Sequence, residues 1–181
     1  MPVKESSDEL NPTLVVPEPG LGSTTTAHTL GDYLALSIAT CGVGYLPLMP
    51  GTFGSVLGVA IFLLLVQRVN PVVIVLLILV IAFAGIWAAS RTEELSGRKD
   101  PGKVVVDEVA GQMIALLPLT VFTITPLPVM ISFVLFRCFD IVKPYPAGRL
   151  EGLKGGFGIM CDDLVAGAYA AVIAAVIFSI L

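Results

Sequence analysis

VVIVLLILVIAFAGIWAAS, residues 72–90, runs without one charged side chain. The hydrocarbon core of a bilayer asks for about 20 such residues in a helix. Reading this stretch as a membrane-crossing helix decides the fold, because the rest of the chain follows the same rule. Of the 181 residues, 56% are hydrophobic and 13% charged, and the mean hydropathy is +0.94. A soluble domain carries about 25% charged residues. A chain this poor in charge cannot cover itself with a polar surface, so the composition predicts an all-α, polytopic membrane helical bundle. The net charge of −4 gives no argument for nucleic-acid binding.

Upstream, Arg68, Asn70 and Pro71 interrupt the apolar run, and residues 56–67 read as the other arm of a helical hairpin. Before them stands GVGYLPLMPGTFGS, residues 42–55, whose glycines and prolines predict a loop rather than a helix. Thr52 and Ser55 offer hydroxyls there, and Gly51 and Gly54 offer open backbone. The ordinary alternative is a helix-breaking turn. Residues 33–49 are moderately apolar. Residues 1–29 are polar and rich in Pro, Ser and Thr, with no apolar core of a signal peptide. They predict a disordered extension, with His28 a surface residue at its edge and 30–181 the membrane-embedded domain.

Downstream, residues 91–103 are a polar loop, and 104–122 are apolar except for Asp107, Glu108 and Gln112. The tract TITPLP turns the chain. Residues 129–142 return it, the loop Lys143–Met160 follows, and 164–181 form the last span. This makes five crossings, or four if 56–67 is re-entrant. Arg91, Arg98, Lys99, Lys103, Arg137, Lys143, Arg149 and Lys154 fall in two loops separated by one hairpin. Both loops are therefore on one side, and the excess of positive charge makes that side cytoplasmic. The 42–55 loop falls on the same side, so every polar motif gathers at one face.

Carboxylates at the edge of hydrocarbon are costly and mark function. Asp107 and Glu108 follow three valines and precede an apolar run; a helix cap is the alternative reading. The spacing D-x-V-A-G occurs at Asp107–Gly111 and again at Asp163–Gly167. Two helices could thus present matching acidic ends to one metal, with each glycine permitting close approach. Arg137, Asp140 and Lys143 are three apart and share one helix side, the alternative being a plain intrahelical ion-pair set, and Lys143–Pro144 ends that helix. In GGFGIMCDD, Gly155, Gly156 and Gly158 lead into Asp162 and Asp163. Adjacent acids would repel a bare phosphate at a helix start, and a divalent cation resolves the conflict. Magnesium suits oxygen ligands. Zinc is disfavoured, with His28 remote and no thiol pair in place. Cys41, Cys138 and Cys161 read as apolar filler.

The set GYLPLMPGTFGS, VVVDEVAG, FRCFDIVKPYP and GGFGIMCDDLVAG resembles the phosphatidylglycerophosphatase A family over roughly residues 33–181. The resemblance implies a magnesium-dependent membrane phosphatase that converts phosphatidylglycerophosphate to phosphatidylglycerol and phosphate. It puts the family's acidic motif residues at Asp107, Glu108, Asp140, Asp162 and Asp163, and its basic ones at Arg137 and Lys143. A bacterial inner (plasma) membrane is the implied location, with the site facing the cytoplasm. The five acids are then the candidate metal ligands. Thr52, Ser55, Arg137, Lys143, Gly155, Gly156 and Gly158 are the candidate phosphate contacts. Two other classes compete. A CDP-alcohol phosphotransferase needs a longer Asp-rich signature, which this chain lacks. A small cation transporter needs polar groups through the bilayer depth, whereas spans 72–90 and 164–181 carry no charge.

The chain offers few nucleophiles. No Asp-x-Asp of aspartyl-phosphate enzymes is present: positions 109, 142, 164 and 165 are Val109, Val142, Leu164 and Val165. A water activated by the metal is the expected attacker. Whichever of Glu108 and Asp140 does not bind metal would act on that water, and Arg137 and Lys143 would hold the phosphate oxygens. The charge asymmetry predicts that the loops around Gly97 and Gly152 face the cytoplasm and Leu181 the far side. Cysteine labelling of intact cells and inverted vesicles checks this, and labelling of the two loops from opposite sides would reject the topology.

Overall fold

The computed structural model describes residues 29–180. His28, residues 1–28 of the expected polar extension and Leu181 lie outside the described residues. Within them the fold is all-α: α1 (Leu30–Thr40), α2 (Pro50–Val66), α3 (Pro71–Ser96), α4 (Val106–Ala115), α5 (Pro126–Val142), α6 (Ala147–Leu150) and α7 (Gly156–Ile180). Short 3-10 turns at Val43–Tyr45 and Leu117–Thr120 complete the chain.

Two helices, α3 with 26 residues and α7 with 25, are long and apolar enough to cross a membrane. At 1.5 Å per residue each spans about 37–39 Å, more than the ~30 Å hydrocarbon core. The other three expected spans are shorter. α2 and α5 have 17 residues each, and the apolar tract 104–122 holds a 10-residue helix followed by a 3-10 turn that includes Pro118. Only α3 and α7 therefore have the length of a full span, and five crossings are not shown. α3 turns Val72, Leu76, Leu79, Val80, Phe83 and Trp87 outward. An exposed apolar stripe of that length suits lipid and not water.

Several helices begin earlier than their composition predicts. α2 starts at Pro50, inside the tract read as a loop. Proline is well placed in the first turn of a helix, where its missing N–H is no loss. Gly54 and Gly58 are then helical because they let α2 lie on α4: a Cβ on Gly54 would stand 3.0 Å from Val105, and one on Gly58 2.8 Å from the Val109 carbonyl. α7 likewise starts at Gly156 rather than after the acids. Gly155, at φ +67°, makes the turn that glycine tolerates best. Gly156 packs on the Ile86 carbonyl of α3, and its N–H donates to Ser90 Oγ at 2.7 Å. Thr29, read as the end of the extension, is instead the N-cap of α1 in a reciprocal pair with Asp32.

The most extensive helix contact joins α4 and α7. A Cβ on Gly111 would fall 2.6 Å from the Asp163 carbonyl, and one on Gly167 would overlap the Gly111 carbonyl. The two D-x-V-A-G stretches therefore cross at their glycines. Phe136 of α5, fully buried, closes the crossing, its ring edge 2.6 Å from where a Gly111 Cβ would stand. Below this level Phe62, Ile74, Ile78, Met113, Leu116 and Ala174 fill the core. At the polar end α1 is tied to α3 by Arg91 Nε donating to Asp32 Oδ1 at 2.7 Å. That bond, then the Thr29 backbone N–H, holds the Asp32 carboxyl down at about 2.

Gly167→Leu should destabilise the bundle by roughly 1–3 kcal/mol or more, because neither backbone can retreat. Gly102→Ala, where an added Cβ meets nothing within 4 Å, should leave stability unchanged. Thermal unfolding in detergent compares the two.

Candidate active site

The crossing of α4 and α7 sets the site. Asp107 lies one turn before Gly111 and Asp163 one turn before Gly167, so both carboxylates project from the crossing toward the polar end. Glu108 joins them, and carboxylate oxygens of Asp107, Glu108 and Asp163 all lie within 4.8 Å of one another. Asp107 and Asp163 are 8% and 4% exposed. Oδ1 of Asp107 and Oε2 of Glu108 are buried with no hydrogen-bond partner. Three carboxylates this close, two of them with an unpartnered buried oxygen, repel one another strongly when ionised. A hard divalent cation takes oxygen ligands of this kind, so the donor set fits one.

The other two acids are engaged differently. Asp140 Oδ2 pairs with Arg137 Nη1 at 2.7 Å, one helical step away on α5. Asp162 Oδ2 accepts from Lys143 Nζ at 2.7 Å, and Glu151 stands 3.3 Å from the same nitrogen. Burial works against the Lys143 charge. The Asp162 bond and the charges of Asp162 and Glu151 outweigh it and hold Lys143 above the usual lysine range. Lys143 can reach across because it caps α5 in a left-handed conformation, φ +47°, which ends the helix before Pro144. Asp162 and Asp163 stand about two turns into α7, not at its head, because the helix already includes Gly156 and Gly158.

These groups line one cavity of about 380 Å³ at the polar end of the bundle. Its walls hold Asp107, Glu108, Asp140, Asp162, Asp163, Arg137 and Lys143, together with Thr52 and Gly158. Ser55 lies behind the wall; its hydroxyl donates to the Gly51 carbonyl at 3.0 Å and accepts from Arg137 Nη1 at 3.4 Å. Gly155 and Gly156 do not line the cavity; they seat α7 on α3 through Ser90 and Ile86. Gly51 does line it, and a Cβ there would collide with Glu108 Oε1. The first turn of α2, which has no side-chain cap, thus faces the acids and Arg137. Sequence reasoning missed Lys99, Asp100 and Glu151 as cavity residues. Their only signal was charge in the two polar loops, and nothing local tells which loop charges fold inward. The three cysteines are free.

Comparison with known proteins gives the family. The family model described as phosphatidylglycerophosphatase A matches residues 37–178. A Bacteroides thetaiotaomicron protein named "Putative phosphatidylinositol-3-phosphatase" is 40% identical over 80% of this chain and 94% of its own length. Proteins named phosphatidylglycerophosphatase A from Haemophilus influenzae and Escherichia coli are 32% and 34% identical, over 73% and 72% of this chain and 80% and 74% of theirs. No solved structure matches.

The division of the acids predicts different losses. Asp163→Asn should weaken binding of Mn²⁺, used as a spectroscopic probe, by more than the roughly 10–100-fold that a supporting residue costs. Asp162→Asn, which frees Lys143, should weaken it by no more than that. Equal effects in a Mn²⁺ titration would show that Asp162 is also a ligand.

Proposed function

The chain belongs to the phosphatidylglycerophosphatase A family, and on that premise we propose that it hydrolyses phosphatidylglycerophosphate to phosphatidylglycerol and inorganic phosphate with magnesium as cofactor. That it is a lipid phosphatase of this family follows from the match itself. The observation that supports phosphate-ester hydrolysis with a divalent ion is the convergence of Asp107, Glu108 and Asp163 with Arg137 and Lys143 in one cavity, and the choice of phosphatidylglycerophosphate rests on the family match.

Asp107, Glu108 and Asp163 would hold the cation. When bound, a divalent ion lowers the pKa of water and neutralises phosphate charge. Arg137 and Lys143 hold the non-bridging oxygens, where charge must be stabilised during transfer. Each is kept in place by an acid of its own, Asp140 and Asp162. With Glu108 in the metal set, Asp140 is the acid left to orient the attacking water and accept its proton. The first turn of α2 adds open backbone at Gly51 toward the same phosphate. The concentration of Arg91, Arg98, Lys99, Lys103, Arg137, Lys143, Arg149 and Lys154 near the cavity end supports a cytoplasmic site in a plasma membrane.

A second substrate, phosphatidylinositol 3-phosphate, is favoured by the name of the Bacteroides relative. Both lipids carry a phosphomonoester on a polyol that is joined to diacylglycerol through a phosphodiester, and the catalytic groups treat them alike. Phosphate release from each lipid, with and without magnesium, tests the reading. Turnover of phosphatidylglycerophosphate that stops when magnesium is removed is the expected result. Arg137→Ala should cost roughly 10²–10³ in kcat. Release from phosphatidylinositol 3-phosphate alone would move the assignment to the second lipid. An aspartyl-phosphate trapped by acid quench would replace direct water attack with covalent catalysis.

A further inference from the structure

On the outer face of the bundle an apolar groove of about 240 Å³ lies between α2 and α5, lined by Val56, Val59, Val129, Met130, Phe133 and Val134. It lies one helical turn from the candidate active site along the same seam. Val56 is one turn beyond Thr52, and Phe133 and Val134 are one turn before Arg137; Thr52 and Arg137 both line the cavity. Residues three and four apart share a helix face. The groove therefore begins directly beneath the Arg137–Ser55 contact that bridges α2 and α5. From Arg137 to Val129 the seam runs about 12 Å at 1.5 Å per residue.

We propose that this groove binds an acyl chain of the lipid phosphate whose head enters the cavity. The inference rests on the lipid-phosphatase reading and extends it to the part of the substrate that does not react. A molecule held here must be charged at one end and apolar at the other, which is the chemistry of a phospholipid. The seam is open for a physical reason. α2 rests on α4 through Gly54 and Gly58, while α5 rests on α7 and wedges Phe136 against α4. Both helices are drawn onto the central pair, and the space between them is lined by four valines, Met130 and Phe133. Such a groove gains nothing by hydrophobic transfer, because the chain is already in a bilayer as apolar as the groove. What it supplies is alignment. A head group tethered by a seated chain meets the acids in a fixed pose, and a displacement of about 1 Å can cost roughly 100-fold.

The test compares two esters of one head group. Val59→Trp and Met130→Trp fill the groove from opposite walls, and neither residue touches the cavity. With dioleoyl phosphatidylglycerophosphate in vesicles, kcat/KM should fall roughly tenfold or more. With the deacylated glycerophosphoglycerophosphate it should stay within about twofold of wild type. Equal loss on both esters, or no loss on the lipid, overturns the proposal. So does a change of oligomeric state in either variant, which would make the groove a contact between copies. Should both variants fold poorly, wild-type protein is photolabelled with phosphatidylglycerophosphate carrying a diazirine on its acyl chain. Label on peptides 56–59 and 129–134 supports the groove, and label elsewhere rejects it. Absence of phosphate release by wild type would instead count against the enzymatic reading, and the photolabel would still report where the chain sits.

Discussion

The backbone contact between Gly111 and Gly167 is the constraint on which the rest of the structure depends. It brings α4 and α7 closer than any side chain would permit, in a bundle where small residues rather than hydrophobic transfer govern helix association. Because each glycine follows an aspartate by four residues, the same contact that joins the helices also joins Asp107 to Asp163. A site assembled this way needs no loop to hold its two central carboxylates. Their separation is set by two helix backbones in contact, which is the most rigid support a small bundle can provide.

Charge then explains the remaining layout. Seven acidic and three basic side chains line the cavity. Arg137 pairs with Asp140, and Lys143 with Asp162 and Glu151, and Asp107, Glu108 and Asp163 form no ion pair with either. A phosphate dianion approaching such a surface would be repelled at close range, whatever the two basic side chains contribute. A divalent ion held by Asp107, Glu108 and Asp163, as proposed, would offset that repulsion. The pairing of Arg137 and Lys143 serves the same end, since a long basic side chain fixed by a partner loses less freedom when it meets the substrate.

The sequence made the membrane-type composition, the five acids, the two basic residues and the D-x-V-A-G repeat legible, and the repeat pointed at the crossing itself. It concealed the helix starts. Proline and glycine read locally as breakers, yet Pro50 opens α2 and Gly54, Gly58 and Gly156 serve tertiary approach, which only a neighbouring helix can reveal. The glycine run before Asp162 looked like a phosphate cradle for the same reason; Gly155 and Gly156 turned out to seat α7 on Ser90 and Ile86. The partition of five similar acids into a cluster of three and two ion pairs was equally hidden. It depends on which side chains from α5 and α7 meet across space, and spacing within one helix carries no such information.

The same carboxylates that prepare the site also weigh on the fold. Burying charge without a partner is costly, and a protein keeps such groups only where the surrounding structure compels them. Here the compulsion is the glycine crossing, which cannot relax without separating α4 from α7. The fold therefore holds the acids together against their repulsion. A ligand that binds this arrangement and not the unfolded chain returns part of that cost as stability, in proportion to the logarithm of its concentration over Kd. A cation held by Asp107, Glu108 and Asp163, as proposed, would thereby couple its own binding to folding. The glycine contact between α4 and α7 would then be stabilised by the ion whose ligands it brings together.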